Sequence, residues 1–340
     1  MNTDHHACTS PTKHSILDEG ALVERVLSQY PLRGPVRCRL YRRSMSDAYL
    51  VEAGDEAFFF KVGLYGRHTR SEVESEIEFA NDLCKSGIAV APLVQRCDGA
   101  YLCELDAPEG TRYGLLYRAA VGQEPEETNL EHSRLFGRLA AQIHNCADQL
   151  DRTYDRWQLD EAYLIRDPIR GMEPYLEHRP ADLDYLNRFG EELIAELQGL
   201  LCKDRPVYGL CHGDLHAGNA RLDQDGELVL FDLDSFGYGW RALDIGVYRV
   251  SYDWLNLSRA CKVEKDRFWA AFLEGYHEER TLSQRELAAV GLSLPVRHLE
   301  LMGLTMRYWA QHQGIHWITD EYFDHHVAWF KEWAGEYRHY

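Results

Sequence analysis

Short runs rich in apolar positions occur early in the chain at residues 38–41, 48–52 and 57–62, the last two divided by the turn residues Gly54-Asp55. Short apolar runs bounded by turn residues mark strands and predict a small antiparallel sheet. Ahead of it, Leu17, Ala21, Leu22, Val26 and Leu27 recur near helical spacing over residues 16–30, with Asp18 and Glu19 in the first turn and Pro31 and Pro35 closing the segment. A second stripe, Val73, Ile77, Ala80 and Cys84, predicts a helix over residues 71–86. Three more strands are expected at 88–93, 100–105 and 113–119. Beyond residue 120 helical spacing dominates, over 130–146, 164–176 (interrupted by Pro168 and Pro174), 183–200 and 295–313. The pattern predicts an α+β fold. A small antiparallel sheet with one main helix would occupy residues 1–120, and a larger, mainly helical part residues 121–340.

Composition narrows the class. At 340 residues the chain can build two lobes and bury a sizeable core. Hydrophobic residues at 45% and aromatics at 12% argue a folded protein over a disordered one. No run of about 18 apolar residues occurs, so no membrane span is expected. Residues 1–15 lack the apolar core of a signal peptide, which makes the cytoplasm the expected location. Nine scattered cysteines, none in a Cys-x-x-Cys pair, read as reduced thiols packed as small hydrophobes. A net charge of −18 argues against nucleic acid or an anionic membrane as the main partner and leans towards a neutral or cationic one.

The chemistry is concentrated in Cys211-His212-Gly213-Asp214-Leu215-His216-Ala217-Gly218-Asn219 and the following Leu230-Phe231-Asp232-Leu233-Asp234. Protein kinases carry a carboxylate for the substrate hydroxyl and, five positions on, an asparagine for the metal. Asp214 and Asn219 stand at that spacing. A turn at 223–226 leads into an apolar run, 228–231, that ends on Asp232, as a metal carboxylate at the end of a buried strand would. Asp234, two residues on in an extended segment, would share its face and is a candidate ligand for a second metal or an acceptor's cationic group. With Phe236-Gly237-Tyr238-Gly239-Trp240 and Asp244-Ile245-Gly246, the pattern resembles the aminoglycoside phosphotransferase and choline kinase superfamily. Within it, the likeness leans to the branch holding stress-response kinase A and type II homoserine kinases.

That resemblance implies a bilobal protein-kinase-like fold and transfer of the γ-phosphate of ATP, with Mg2+, to the hydroxyl of a small molecule. Asp214 would be the base, and Asn219, Asp232 and Asp234 the metal ligands. Lys61, after Phe58-Phe59-Phe60, would clamp the nucleotide phosphates, and Glu76, at the margin of the buried face of helix 71–86, would be its partner. Ser44 and Ser46, in the turn at 44–47, offer hydroxyls to the phosphates where a Gly-rich loop would offer amides. His216 stands two residues after Asp214, where protein Ser/Thr kinases keep a phosphate-contacting lysine. The adenine would sit at 120–122, and the aromatic-rich region after residue 252 would wall the acceptor pocket, with Asp234, Arg297, His298 and Trp309 as candidate contacts. His144, His212 and Asp244 read as structural, Asp244 capping amides of its own helix or of the loop at 211–219. Homoserine, an amino sugar or antibiotic, and choline-like alcohols remain open as acceptors.

Two alternatives compete. A Ser/Thr protein kinase shares the chemistry, but only eleven residues separate Asp232 from Asp244, too few for a long activation loop. A metallohydrolase would bind zinc through His212, His216, Asp214 and Asp232, but Gly213 disfavours the continuous helix that such i, i+4 histidines need.

Overall fold

The computed structural model describes residues 10–126, 129–255 and 262–337. Cys8, Cys261 and the side chains of Trp254 and His312 lie outside the described part. The chain divides into two units: Met1–Glu74 with Leu93–Ala119, and Ser75–Pro92 with Ala120–Tyr340.

The first unit opens with α1 (Glu19–Ala21), which Asp18 caps by accepting from the Ala21 amide at 2.8 Å, and continues through a π turn (Leu22–Val26) and a 3-10 turn (Leu27–Gln29). Then come β1 (Val36–Arg43), β2 (Ser46–Ala53) and β3 (Glu56–Gly63), the start of α2 (Arg70–Lys85), and the strands β4 (Cys103–Ala107) and β5 (Gly110–Arg118). The five strands form one antiparallel sheet in the order β1-β2-β3-β5-β4. Alternation sorts its faces. Tyr49, Val51, Phe58, Phe60, Val62 and Leu116 pack in one core with Leu22, Val26, Leu27 and Tyr30 of the N-terminal helix. Lys61 alternates out of that set and stays half-buried on the opposite side, in register with Ala48 and Leu115. The expected turn at 44–47 is shorter than foreseen: Ser46 and Asp47 already pair with Gly63 and Val62, leaving Ser44 and Met45 as the bend. Asp47 is buried against the Arg112 guanidinium at 2.7 Å, which satisfies both charges.

The expected strand at 88–93 is corrected to an extended segment. Val90 bridges Leu230 and Leu93 bridges Tyr117, so its two ends pair with different strands and no ladder forms.

In the second unit, α3 (Leu130–Gln149) is capped by Asn129, and β6 (Gln158–Leu159) precedes a π turn (Ala162–Arg166) that runs into α4 (Asp167–Leu176). After α5 (Pro180–Leu200) come β7 (Tyr208–Cys211), the hairpin β8 (Ala220–Leu222) and β9 (Leu228–Leu230), and β10 (Gly237–Trp240). β10 lies between β6 and β7, parallel to the first and antiparallel to the second. The helices α6 (Arg241–Leu255), α7 (Lys262–Glu279), α8 (Gln284–Val290) and α9 (Ser293–Leu304) follow. α9 continues through a π turn (Thr305–Trp309) into α10 (Ala310–Gln313), close to the span expected from sequence, and α11 (Asp320–Tyr337) ends the described chain. No single described helix is long and apolar enough to cross a membrane.

Candidate active site

Two loops leave neighbouring strands. Because Gly237 of β10 pairs with Cys211 of β7, the segments 212–219 and 231–236 start side by side. The β8–β9 hairpin joins their other ends, and the Phe231 amide donates to the Asn219 carbonyl at 3.0 Å. The motif residues thus meet because backbone pairing closes both ends of the segment.

Gly213 makes the approach possible. Its φ is +82°, and a Cβ there would lie 2.1 Å from the Ser235 carbonyl oxygen. Only a residue without a side chain fits. Asp232 has φ 67° and ψ 58°, the one non-glycine in the left-handed region among the described residues. Such strain persists where the surroundings over-determine it. Here Arg156, 6% exposed, holds the far side of the turn: its Nε donates to the Phe236 carbonyl at 2.9 Å and its Nη2 to that of Asp234. Phe236 in turn stacks on Phe79 of α2, centroids 4.7 Å apart.

From below, Asp244 fixes the other loop. Its Oδ1 accepts from the Gly213 amide at 2.8 Å, and its Oδ2 accepts from the His212 amide and from His144 Nε2, each at 2.9 Å. His144 Nδ1 then accepts from the Tyr276 hydroxyl at 2.9 Å. All three side chains are buried. Burial holds His144 neutral, down to about 4, with Arg241 pushing the same way and Asp244 opposing. Of the two amide sites foreseen for Asp244, the structure shows the loop.

Asp214 stands at the loop's tip with its side chain 24% exposed. Asn219 Nδ2 donates to its carbonyl and to Oδ2, both at 3.0 Å. His216 Nε2 lies 3.4 Å from Oδ2, and Arg297 Nη2 donates to Oδ1. Burial alone would raise this carboxyl, but Arg297 and then His216 hold it well below the usual carboxylate range. His216 moves the other way: burial depresses it, but the Asp214 carboxylate lifts it above its ordinary value.

The structure brings Asp214, Asn219, His216 and Asp232 together, and adds Arg297 from α9; Asp234 sits in a 3-10 turn (Leu233–Ser235) rather than the expected extended segment, and its Oδ1 accepts from the Ser235 hydroxyl at 3.1 Å. Asn219 turns Nδ2 to Asp214, so its amide Oδ1 and the Asp232 carboxylate are the hard oxygens that could hold a divalent metal. Glu76 is 4% exposed on α2, one turn ahead of Phe79. Lys61, Ser44 and Ser46 belong to the first unit; Ser44 donates its amide to the Ser46 carbonyl at 3.0 Å.

One candidate acceptor contact is corrected. His298 is 2% exposed and packs on Trp329 and Phe330, with Nε2 2.7 Å from His326 Nδ1. Adjacent helical residues diverge by about 100°, so Arg297 and His298 cannot both face the loop. Trp309 is 40% exposed, in the π turn that follows α9. The zinc reading also fails: among the described residues, the ligand atoms of His212, His216, Asp214 and Asp232 do not converge as a metal-binding group. Sequence reasoning missed Arg156, Tyr276 and Glu300; of these only Glu300 carried a signal, its i+3 spacing from Arg297.

Residues 39–289 match a family model described as the phosphotransferase enzyme family. A protein of Deinococcus radiodurans is 34% identical over 330 residues, covering 97% of this chain and 93% of its own. Among solved structures, the amicoumacin kinase hAmiN in complex with AMP-PNP, Ca2+ and Ami is similar at a TM-score of 0.75 and 20% identity, covering 93% of this chain and 92% of its own. The microcompartment-associated aminopropanol kinase is similar at 0.74 and 20%, covering 93% and 98%. These likenesses show a protein-kinase-like fold.

Proposed function

The chain belongs to the phosphotransferase enzyme family, and on that premise we propose that it moves the γ-phosphate of ATP to the hydroxyl of a small, amine-bearing alcohol. The observation that carries this reading is the Asp214 carboxylate, ionised and held by Asn219 on a loop that Asp244 braces. Asp214 orients the acceptor hydroxyl and takes its proton as the new O–P bond forms and the β,γ-bridging bond breaks, releasing ADP. Asn219 and Asp232 would hold Mg2+, with Asp234 as a further oxygen ligand; when bound, the cation offsets the charge of the phosphates. Lys61, with Glu76 as its partner, serves the nucleotide phosphates, and Ser44 and Ser46 contribute hydroxyls to the same group. His216, lifted towards its protonated form, adds positive charge near the transferring phosphoryl.

An amine on the acceptor fits the chain's net charge of −18. The aminopropanol kinase likeness points the same way. A protein acceptor is less favoured, because residues 233–240 are taken up by a 3-10 turn and β10, with α6 starting at Arg241. The test is ATP consumption over a panel of amino alcohols, amino sugars, homoserine and casein. Asp214→Ala should lose transfer by at least a thousandfold while nucleotide binding persists. Turnover of casein alone, or full activity in that variant, would overturn the assignment.

A further inference from the structure

Arg297 reaches the carboxylate from outside the loop. Its Nη2 donates to Asp214 Oδ1, and its Nη1 donates to Glu300 Oε2 at 2.8 Å, one turn further along α9. The other oxygen of Asp214 already meets Asn219 and His216. Oδ1 is therefore the oxygen at which an incoming hydroxyl meets Arg297.

Behind the pair lies a cavity of ≈ 30 Å³ lined by Gly213, Trp240, Ser293, Val296, Arg297 and Glu300 among others. That is room for about one water, enough for a change of rotamer but not for a long swing. Ser293 is four residues before Arg297 on α9, and side chains at that spacing are neighbours that lean towards the helix N-terminus. Its hydroxyl is buried, 3% exposed for the residue, and has no hydrogen-bond partner among the described groups. An orphaned acceptor thus waits where the guanidinium would turn. Glu300, equally buried, can keep its bond to Arg297 in either position.

We infer that Arg297 is a displaceable latch on Asp214: at rest it occupies Oδ1, and it yields that oxygen to the acceptor hydroxyl by turning back along α9 onto Ser293 Oγ while keeping Glu300. The inference rests on Asp214 being the base. Its consequence is coupling. With the latch closed, water gains little from Asp214, and ATP is spared until an acceptor arrives. Arg297 is thus a positioning residue, acting through Asp214.

The measurement is ATP hydrolysis with ATP and Mg2+ alone, no acceptor present. Arg297→Gln should raise it about tenfold, as loss of a charge-assisted bond to the resting carboxylate would, and Arg297→Lys should restore most of the restraint. Ser293→Ala removes an unpartnered hydroxyl, so its melting should not fall. It should lower acceptor-free hydrolysis roughly fivefold and raise the KM of an amino alcohol from the panel by a similar factor, because the open state loses one hydrogen bond. Unchanged hydrolysis in folded Arg297→Gln overturns the latch, as does a raised acceptor KM in that variant, which would make Arg297 an acceptor ligand. If Arg297→Gln does not fold, an unchanged rate in Ser293→Ala overturns the proposal by itself. Full kinase activity in Asp214→Ala would instead remove the base assignment, so the two failures are separable.

Discussion

Asp244→Asn tests how far placement of the loop depends on one buried carboxylate. Asp244 offers Oδ1 to the Gly213 amide at 2.8 Å, and Oδ2 to the His212 amide and to His144 Nε2, each at 2.9 Å. These are three donors, all facing acceptor oxygens. Asparagine keeps one oxygen. Its better orientation gives that oxygen to the two donors at Oδ2, and then the new NH2 faces the Gly213 N–H at hydrogen-bond distance. One buried donor left unsatisfied costs about 1–3 kcal/mol. The two surviving bonds lose their charge assistance, about half their strength. The sum is on the order of 3 kcal/mol, a large share of a typical folding stability of roughly 5–15 kcal/mol.

Part of that cost can be relieved by moving the loop. A shift of about 1 Å at Asp214 costs on the order of a hundredfold in rate. The variant should therefore lose stability, lose turnover, or divide the loss between them, while the KM for ATP stays within a few fold. Urea unfolding and kcat at saturating substrates, measured on the same preparation, read the two parts. A variant within threefold of wild-type kcat and within 1 kcal/mol of its stability would show that the three bonds do not position the loop.

Gly213→Ala should lower kcat at least a hundredfold while far-UV circular dichroism is kept, because its Cβ would enter the Ser235 carbonyl at 2.1 Å and push the two loops apart; retained activity would refute the steric argument. His144 is held at about 4 by burial, below its ordinary value near 6.5, so the unfolded chain binds the proton first and stability rises with pH through that window. Lowering the pH from 6.5 to 4 should remove about 3 kcal/mol through this group, with buried His298 (about 3) and His326 (about 4) adding in the same direction; a flat urea midpoint between those pH values would contradict it. Lys61→Met should raise the KM for ATP tenfold or more with little change in melting, and an unchanged KM would take Lys61 out of the nucleotide assignment.

The motif was legible because its parts are close in sequence and constrained by spacing. Asp214 and Asn219 sit five apart, and the hairpin that carries Asp232 back to them announces itself by a turn and an apolar run. Asp244 could be read as a cap, though not which amides it would serve. The residues behind it could not. His144 and Tyr276 come from α3 and α7, 132 positions apart, and nothing local marks a histidine that will accept from a tyrosine. Arg156 was hidden for the same reason: it acts on carbonyls, which carry no side-chain signature. The errors have a simple geometry. Arg297 and His298 were paired as neighbours in sequence, but on a helix they face different ways. Residues 88–93 were read as a strand because they are apolar and extended, yet a strand also needs one partner along its length, and these have two.

Asp232 joins these observations. A left-handed aspartate is unfavourable by itself. The strain is carried by its neighbours: the Phe231 amide tied to Asn219, the Ser235 carbonyl packed on Gly213, and the Asp234 and Phe236 carbonyls tied to Arg156. Two of these ties run to the loop that carries Asp214, so Asp232 and Asp214 are set by shared backbone contacts. A change on either loop is therefore transmitted to the other. This explains why the buried groups beneath the loops, Asp244, His144 and Arg156, belong to the working of the site although none of them is placed at the reacting atoms.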